Sequence, residues 1–471
     1  MHFNYDVIII GSGPAGEGAA IKASKSGLSV GVIEEEDIGG NCTHRGTIPS
    51  KALLQVVSHF AYHKEYNKYH YPEMLKHATS VIDQQVKLKK DFYKHNHIDI
   101  ISGVAFFINP HTVNVLNRIA YKHTSRQYTA KYFVIATGSR PYHNSNIDFS
   151  HPRVLDSDSI LKLQTNPGSI TIYGAGVIGC EYASIFRKLK IEINLINNRP
   201  CLLSFLDNEI IDALTHYFKE QGIRTYNNEF YHSIEPKDTH VSIHLKSNKV
   251  ITSDYLLLAQ GRSGNTEKLH LHSINIKPNI RGSIIVNNNY QTLVHPNIYA
   301  AGDVIGYPSL ASAAFDQGRF AATHIVLGSC RTNLSREIPT GIYTLPEISS
   351  IGKTEQDLIE NKTPYEVGRA FFSDLARAQI SGKTIGMLKV IFDYNTLQIL
   401  GIHCFGSQAS EIIHIGQAIM LQSGKANSIM YFINTTFNYP TMAEAYRVAA
   451  LNGINKLRYL KKIYKAITLF C

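Results

Sequence analysis

Residues Tyr5–Glu36 read YDVIIIGSGPAGEGAAIKASKSGLSVGVIEEE. An apolar, β-branched run ends at Gly11-x-Gly13-x-x-Gly16, passes into an alanine-rich stretch, and is followed by a second apolar run closing at Glu34. That order predicts strand, tight turn, helix and strand. The first glycine permits the turn, the second lets backbone approach a pyrophosphate, and the third lets the helix lie close to the sheet. The start of the helix then faces the phosphate charge. Ala20, four positions after Gly16, keeps the packed face small.

The pattern recurs at Ser169–Asn198, SITIYGAGVIGCEYASIFRKLKIEINLINN, with Gly174, Gly176 and Gly179 followed by Ala183. One such fingerprint is weak evidence. Two, each set between a strand and a helix, predict two dinucleotide sites. The residue closing each second strand separates them. Glu34, eighteen positions after Gly16, is placed to bond a free adenosine ribose, whereas Asn197, eighteen positions after Gly179, is neutral. A carboxylate there would repel the 2′-phosphate of NADP. Asn197 does not, and Arg199 follows two residues later, as a phosphate partner or as a solvated loop cation. The second site therefore reads as permissive toward both nicotinamide nucleotides.

The chain has 471 residues, 44% hydrophobic and 18% charged, enough for several domains with large cores. No apolar run approaches the ~18 residues of a membrane span, and the start shows no basic leader with a cleavage site. A cytoplasmic protein is expected. Six scattered cysteines make neither a disulfide framework nor a Cys-x2-Cys metal pair. The net charge of +10 comes from dispersed residues, which suits nucleotide ligands better than nucleic acid. The exception is KLRYLKKIYKAITLFC, residues 456–471, with five basic residues and no acid. Leu457, Leu460 and Tyr464 share a helical face there, as for a terminal helix docked on the body or, alternatively, a surface or membrane-touching helix.

Three landmarks accompany the fingerprints. FVIATGSRP (Phe133–Pro141, with Gly138) and LLLAQGRSGN (Leu256–Asn265) are apolar strands entering glycine turns, and IYAAGDVIG (Ile298–Gly306) delivers Asp303 to a turn. From about Arg336 strand-like and helical segments alternate without a third fingerprint, as in an α+β domain.

With GSGPAGEGAA, GTIPSK, ATGSRP, GAGVIGCEYASIF, GDVIG, YTLPEISSIGKTE and NYPTMAEAYR, almost the whole chain resembles the pyridine nucleotide–disulfide oxidoreductase family. The resemblance implies an α/β fold of two Rossmann-like domains plus a C-terminal α+β dimerisation domain. FAD binding would fall in 1–146 and 266–335, NAD(P) binding in 147–265, the interface in 336–455, and a basic tail in 456–471. It implies FAD in the first site, NAD(H) or NADP(H) in the second, a homodimer, and a Lys51–Glu181 pair beside the flavin.

The sequence departs from the family's disulfide reductases where sulfur is handled. Those enzymes use two loop cysteines and a histidine near the C-terminus, oriented by a glutamate. In GGNCTHRGTIPSK (Gly39–Lys51) Cys42 takes the first cysteine position and Thr47 the second. Tyr439 stands where the histidine would be, and Glu444 keeps its place. Threonine forms no disulfide, and a phenol titrating near ~10 is a poor base. Dithiol exchange is excluded. The expected activity is reversible, ping-pong hydride exchange between NADPH and NAD+ through the flavin. Two other readings stand beside it: a single-thiol oxidase or peroxidase centred on Cys42, and a flavoprotein that binds without turning over.

Overall fold

The computed structural model describes residues 2–62, 71–119, 122–330 and 337–470. The chain divides into two compact units. One comprises Met1–Asn166 with Leu257–Ser335, the other Pro167–Leu256 with Arg336–Cys471.

The first unit is built on β1 (Tyr5–Ile10), α1 (Pro14–Lys25) and β2 (Val30–Glu34). Then come α2 (Gly40–His44), α3 (Thr47–Tyr62) and α4 (Tyr71–His95). β3 (Asp99–Ser102), β4 (Val104–Asn109), β5 (Thr112–Ile119) and β6 (Lys122–Ile135) follow. The sheet order is β3-β2-β1-β6-β5-β4, with the strand Ile298–Ala300 also on β6. β6 changes role along its length. Residues 122–129 pair antiparallel with β5, and 130–135 pair parallel with β1, placing Ile10 opposite Ile135. The parallel strands Val7–Ile10 and Phe133–Ile135 are buried throughout, as expected when helices or loops cover both faces.

On one face α1 packs against the helix Ala311–Leu327 through Ala15, Ala19, Ala321 and Ala322. The approach is backbone to backbone: a Cβ on Gly318 would lie 1.9 Å from the Ala15 carbonyl oxygen. The other face holds Phe107, Phe133, Ile274 and Ile284.

In the second unit the strands Ser169–Tyr173, Glu192–Ile196 and Arg224–Tyr226 pair in parallel, joined by α5 (Val177–Lys188) and α6 (Asn208–Glu220). A three-stranded antiparallel sheet follows, Tyr231–Pro236, Val241–Leu245 and Val250–Ser253. After residue 336 comes a five-stranded antiparallel sheet. Its order is Thr340–Ile342, Glu347–Gly352, Ile399–Gly406, Gly386–Asp393, Tyr365–Phe371. Its core includes Leu388, Val390, Phe392, Ile402 and Tyr446.

The helix Glu444–Phe470 carries the basic stretch. Leu457 is buried; the side chains of Leu460 and Tyr464 lie outside the described residues. Among the described residues, no helix is long and apolar enough to cross a membrane.

Candidate functional site

In the first unit the turn Gly11–Gly13 ends β1 and opens α1. A Cβ on Gly16 would sit 1.9 Å from the Gly11 carbonyl oxygen, so only glycine lets the helix start this close to the turn. Pro14 at the first helical turn presets φ. No side chain caps α1 at Gly13, and a Cβ on Gly13 would meet nothing nearer than 4.0 Å. Its first N–H groups therefore face outward with backbone access, the requirement for a pyrophosphate. Glu34 is tied to the same turn. Its Oε2 accepts from the Ser12 N–H at 2.8 Å and from Ser12 Oγ at 2.6 Å, while Ser12 Oγ also accepts from the Gly39 N–H at 2.9 Å. Glu34 and the glycine turn are thus held together through Ser12, a role for Ser12 that only the fold reveals.

A second network gathers the landmark turns. Ser139 Oγ donates to Asp303 Oδ2 at 2.7 Å, and Arg262 Nε donates to Ser139 Oγ at 2.7 Å. Arg262 also bonds the Ser139 carbonyl at 2.7 Å, and the Asn265 N–H bonds the Gly138 carbonyl at 3.0 Å. Asp303 begins the turn after the strand Ile298–Ala300, so chain segments more than 120 residues apart converge on it. The residues fit a flavin dinucleotide: an uncapped helix start, an anchored ribose acid and a fixed carboxylate.

Cys42 lies on half-buried α2, and Thr47 opens α3. Burial pushes the Cys42 thiol up. A hydrogen bond with Thr47 and the charges of Lys89 and Lys51 offset that only in part, and Asp303 adds to the rise. The group is held as a thiol, without the depressed pKa of a reactive cysteine. Lys89, from α4, is ion-paired with Glu17 of α1. Lys51, on α3, places Nζ 3.4 Å from Ser50 Oγ.

In the second unit a Cβ on Gly179 would fall 1.8 Å from the Gly174 carbonyl oxygen, and no side chain caps α5 at Gly176. The contrast with the next helices is informative. α6 is capped by Asp207, and the helix Glu355–Glu360 by a reciprocal Thr354–Asp357 box, whereas the fingerprint helix keeps its first donors free of any side-chain cap. Asn197 is buried, and its amide is spent inward. Nδ2 donates to the Cys201 carbonyl at 2.7 Å, and Oδ1 accepts from the Arg199 N–H at 3.3 Å. Its first task is thus to shape the loop that presents Arg199. The exposed Arg199 guanidinium donates to Ser204 Oγ at 2.8 Å.

Glu181, on α5, is 5% exposed and accepts from the Tyr343 N–H at 2.9 Å. Tyr439 is 65% exposed, and Glu444 begins the last helix. Of the other histidines, His403 is buried between Ser350 Oγ and the Lys353 carbonyl, and burial pushes its pKa down.

Residues 5–318 match the family described as pyridine nucleotide-disulphide oxidoreductase, and residues 338–450 match that family's dimerisation domain. The chain is 57% identical over 464 residues to a soluble pyridine nucleotide transhydrogenase of Vibrio cholerae, covering 96% of this chain and 99% of the relative. It is 54% identical over 465 residues to a protein of the same name from Klebsiella pneumoniae, covering 97% and 99%. Among solved structures it is similar to the HOCl-induced flavoprotein disulfide reductase RclA from Escherichia coli. That match has a TM-score of 0.84 and 26% identity, over 95% of this chain and 99% of that one.

Proposed function

The chain belongs to the pyridine nucleotide-disulphide oxidoreductase family, and within it we propose a cytoplasmic, FAD-dependent transhydrogenase that passes hydride reversibly between NADPH and NAD+. The observation that carries this reading is the pairing of Cys42 with a threonine, its sulfur held as a thiol. A chain with both nucleotide modules and no second sulfur has no dithiol acceptor, so the second nicotinamide takes that part. The same protonated thiol disfavours the peroxide chemistry of a single-cysteine enzyme.

Bound FAD supplies the centre that takes hydride from one nicotinamide and returns it to the next. The protein's residues bind and orient. The uncapped start of α1 holds the FAD pyrophosphate, Glu34 the ribose, and Asp303 with Gly138 the remainder of that cofactor. The uncapped start of α5 holds the nicotinamide dinucleotide pyrophosphate. Asn197 carries no charge to reject a 2′-phosphate, and Arg199 offers it a cation, so both nucleotides enter one site in turn. Lys51 and Glu181 are the charged residues proposed for the hydride path. Tyr439 and Glu444 retain the positions of a sulfur relay without its chemistry. The dimerisation segment is proposed to form a homodimer, with a scattering mass of twice 52.6 kDa.

The test mixes FAD-loaded protein with NADPH and thio-NAD+ and follows thio-NADH absorbance. Parallel samples hold NADH with lipoamide, oxidised glutathione or hydrogen peroxide. Rapid thio-NADH formation with little turnover of the others is expected. Turnover of peroxide or a disulfide without thio-NADH would overturn the reading.

A further inference from the structure

The loop after the strand Glu192–Ile196 begins at Asn197 and enters α6 at Asp207. Asp207 is fully buried. Its Oδ1 accepts from the Glu209 N–H at 3.1 Å, capping α6, and from Lys389 Nζ at 2.6 Å. Its Oδ2 accepts from the Glu355 N–H at 3.1 Å. Lys389, 1% exposed on the strand Gly386–Asp393, also reaches Glu209 Oε2 at 3.0 Å and bonds Glu355 Oε1. Arg369 Nε bonds both Glu209 oxygens, at 2.7 and 2.9 Å, and Tyr365 OH bonds Glu355 at 2.9 Å. Asp207, Glu209 and Glu355 are close enough to hold a metal ion. The Lys389 ammonium already bonds all three, so this is an ion cluster with its cation built in.

From Asp207 the chain is hydrogen-bonded back to the nucleotide turn. The Leu206 N–H donates to the Leu203 carbonyl at 2.9 Å, and the Leu203 N–H donates to the Ala175 carbonyl at 3.1 Å. Ala175 lies between Gly174 and Gly176. Leu202, Leu203 and Leu206 are buried beneath the loop, and Ser204 between them holds the Arg199 guanidinium. A displacement at Asp207 is thus passed along the loop to Ser204 and Arg199, while the Leu203–Ala175 bond anchors the loop's base to the glycine turn.

We propose that Lys389 is a positioning residue for the second nucleotide site. Through Asp207 it fixes loop 197–207, and so sets Arg199 as the cation that receives the 2′-phosphate of NADP(H), the Gly174–Gly179 turn taking the pyrophosphate of either nucleotide. The inference rests on the nucleotide-site reading above. A misplacement of about an ångström at a binding group is enough to lose one to two decades. A single charge-assisted contact is worth about tenfold or more.

The test uses the full chain loaded with FAD, carrying Lys389→Met, Asp207→Asn or both. Dissociation constants for NADP+ and NAD+ are measured by calorimetric titration without turnover, and kcat and KM are measured with NADPH and with NADH. Expected are a rise of about tenfold in the NADP+ constant and the NADPH KM, a change under about twofold for NAD(H), and unchanged kcat at saturation. The double variant is expected to be no worse than the more affected single one, because both remove the same contact. Asparagine preserves the helix cap, so Asp207→Asn decides the matter if Lys389→Met does not fold. Equal losses for both nucleotides, or a lowered melting temperature with unchanged nucleotide constants, would reduce the cluster to a structural role and overturn the proposal. A shift in the NADP+ constant in a protein that makes no thio-NADH would sustain it while removing the transhydrogenase reading.

Discussion

At the scale of single residues, side chains with ordinary identities acquire function from what holds them. Arg199 lies on the exposed part of its loop, in reach of solvent, yet Asn197 shapes its backbone and Ser204 its guanidinium. A preset cation loses less side-chain freedom on meeting a phosphate than a free one. Arg199→Ala is therefore expected to raise KM for NADPH about ten- to a hundredfold while moving KM for NADH little, the range of a lost charge-assisted contact. Steady-state kinetics with each donor checks this, and equal effects on the two donors would leave Arg199 as a loop cation only.

Among the elements, the pair formed by α1 and the helix Ala311–Leu327 is held at a distance that tolerates no side chain at Gly318. The carbonyl of Ala15 occupies the place of its Cβ. Gly318→Ala must push that helix off α1, and overpacking of this kind costs about 1–3 kcal/mol. Because the turn proposed to hold the FAD pyrophosphate opens α1, the cost is expected twice over: a lower urea midpoint, and faster loss of FAD on dilution, followed by flavin fluorescence. An unchanged midpoint would mean that the helices part without penalty. The starts of α1 and α5 carry no side-chain cap, whereas Asp207 caps α6, and the proposed pyrophosphate sites use those two free starts.

For the whole molecule, stability should depend on pH through the buried ions of the second unit. Burial alone would raise the carboxyls of Asp207 and Glu209; bonds from Lys389 to Asp207, and from Arg369 and Lys389 to Glu209, outweigh it and hold both below their ordinary values. Such groups add stability above the unfolded carboxylate range of about 4, and that stability is lost as pH falls through the lowered folded values. Burial would lower Lys389, yet its bonds to Asp207 and Glu355 raise it. Its contribution is thus complete below about 10.4 and is lost as pH rises through the folded value. Urea midpoints of the native chain are expected to be flat between these limits and to fall at acid pH, with a shallower acid fall in Asp207→Asn. An acid limb identical in that variant would show that the cluster does not carry the dependence.

The two strand–turn–helix modules with their glycines, and the missing second sulfur, were legible along the chain, whereas the bonds from Ser12 to Glu34 were not. Each legible feature depends on residues within about 35 positions of one another, where spacing alone dictates turn, helix and strand. Asp303 was legible as an acid at a strand end, but its bond to Ser139, and the bond from Arg262 to Ser139, were not, since neither spacing nor composition joins residues more than 120 positions apart. The inward use of Asn197 was hidden for a similar reason: an amide bonds a ribose or its own loop with equal chemistry, and only the loop's path decides between them. Lys389, Asp207 and Glu355 were silent, as isolated charges in unremarkable segments. A buried ammonium becomes meaningful only when tertiary structure surrounds it with the carboxylates that offset its desolvation. Local spacing determined what this protein can bind. The long-range packing of charges and loops decided how firmly each binding group is held in place.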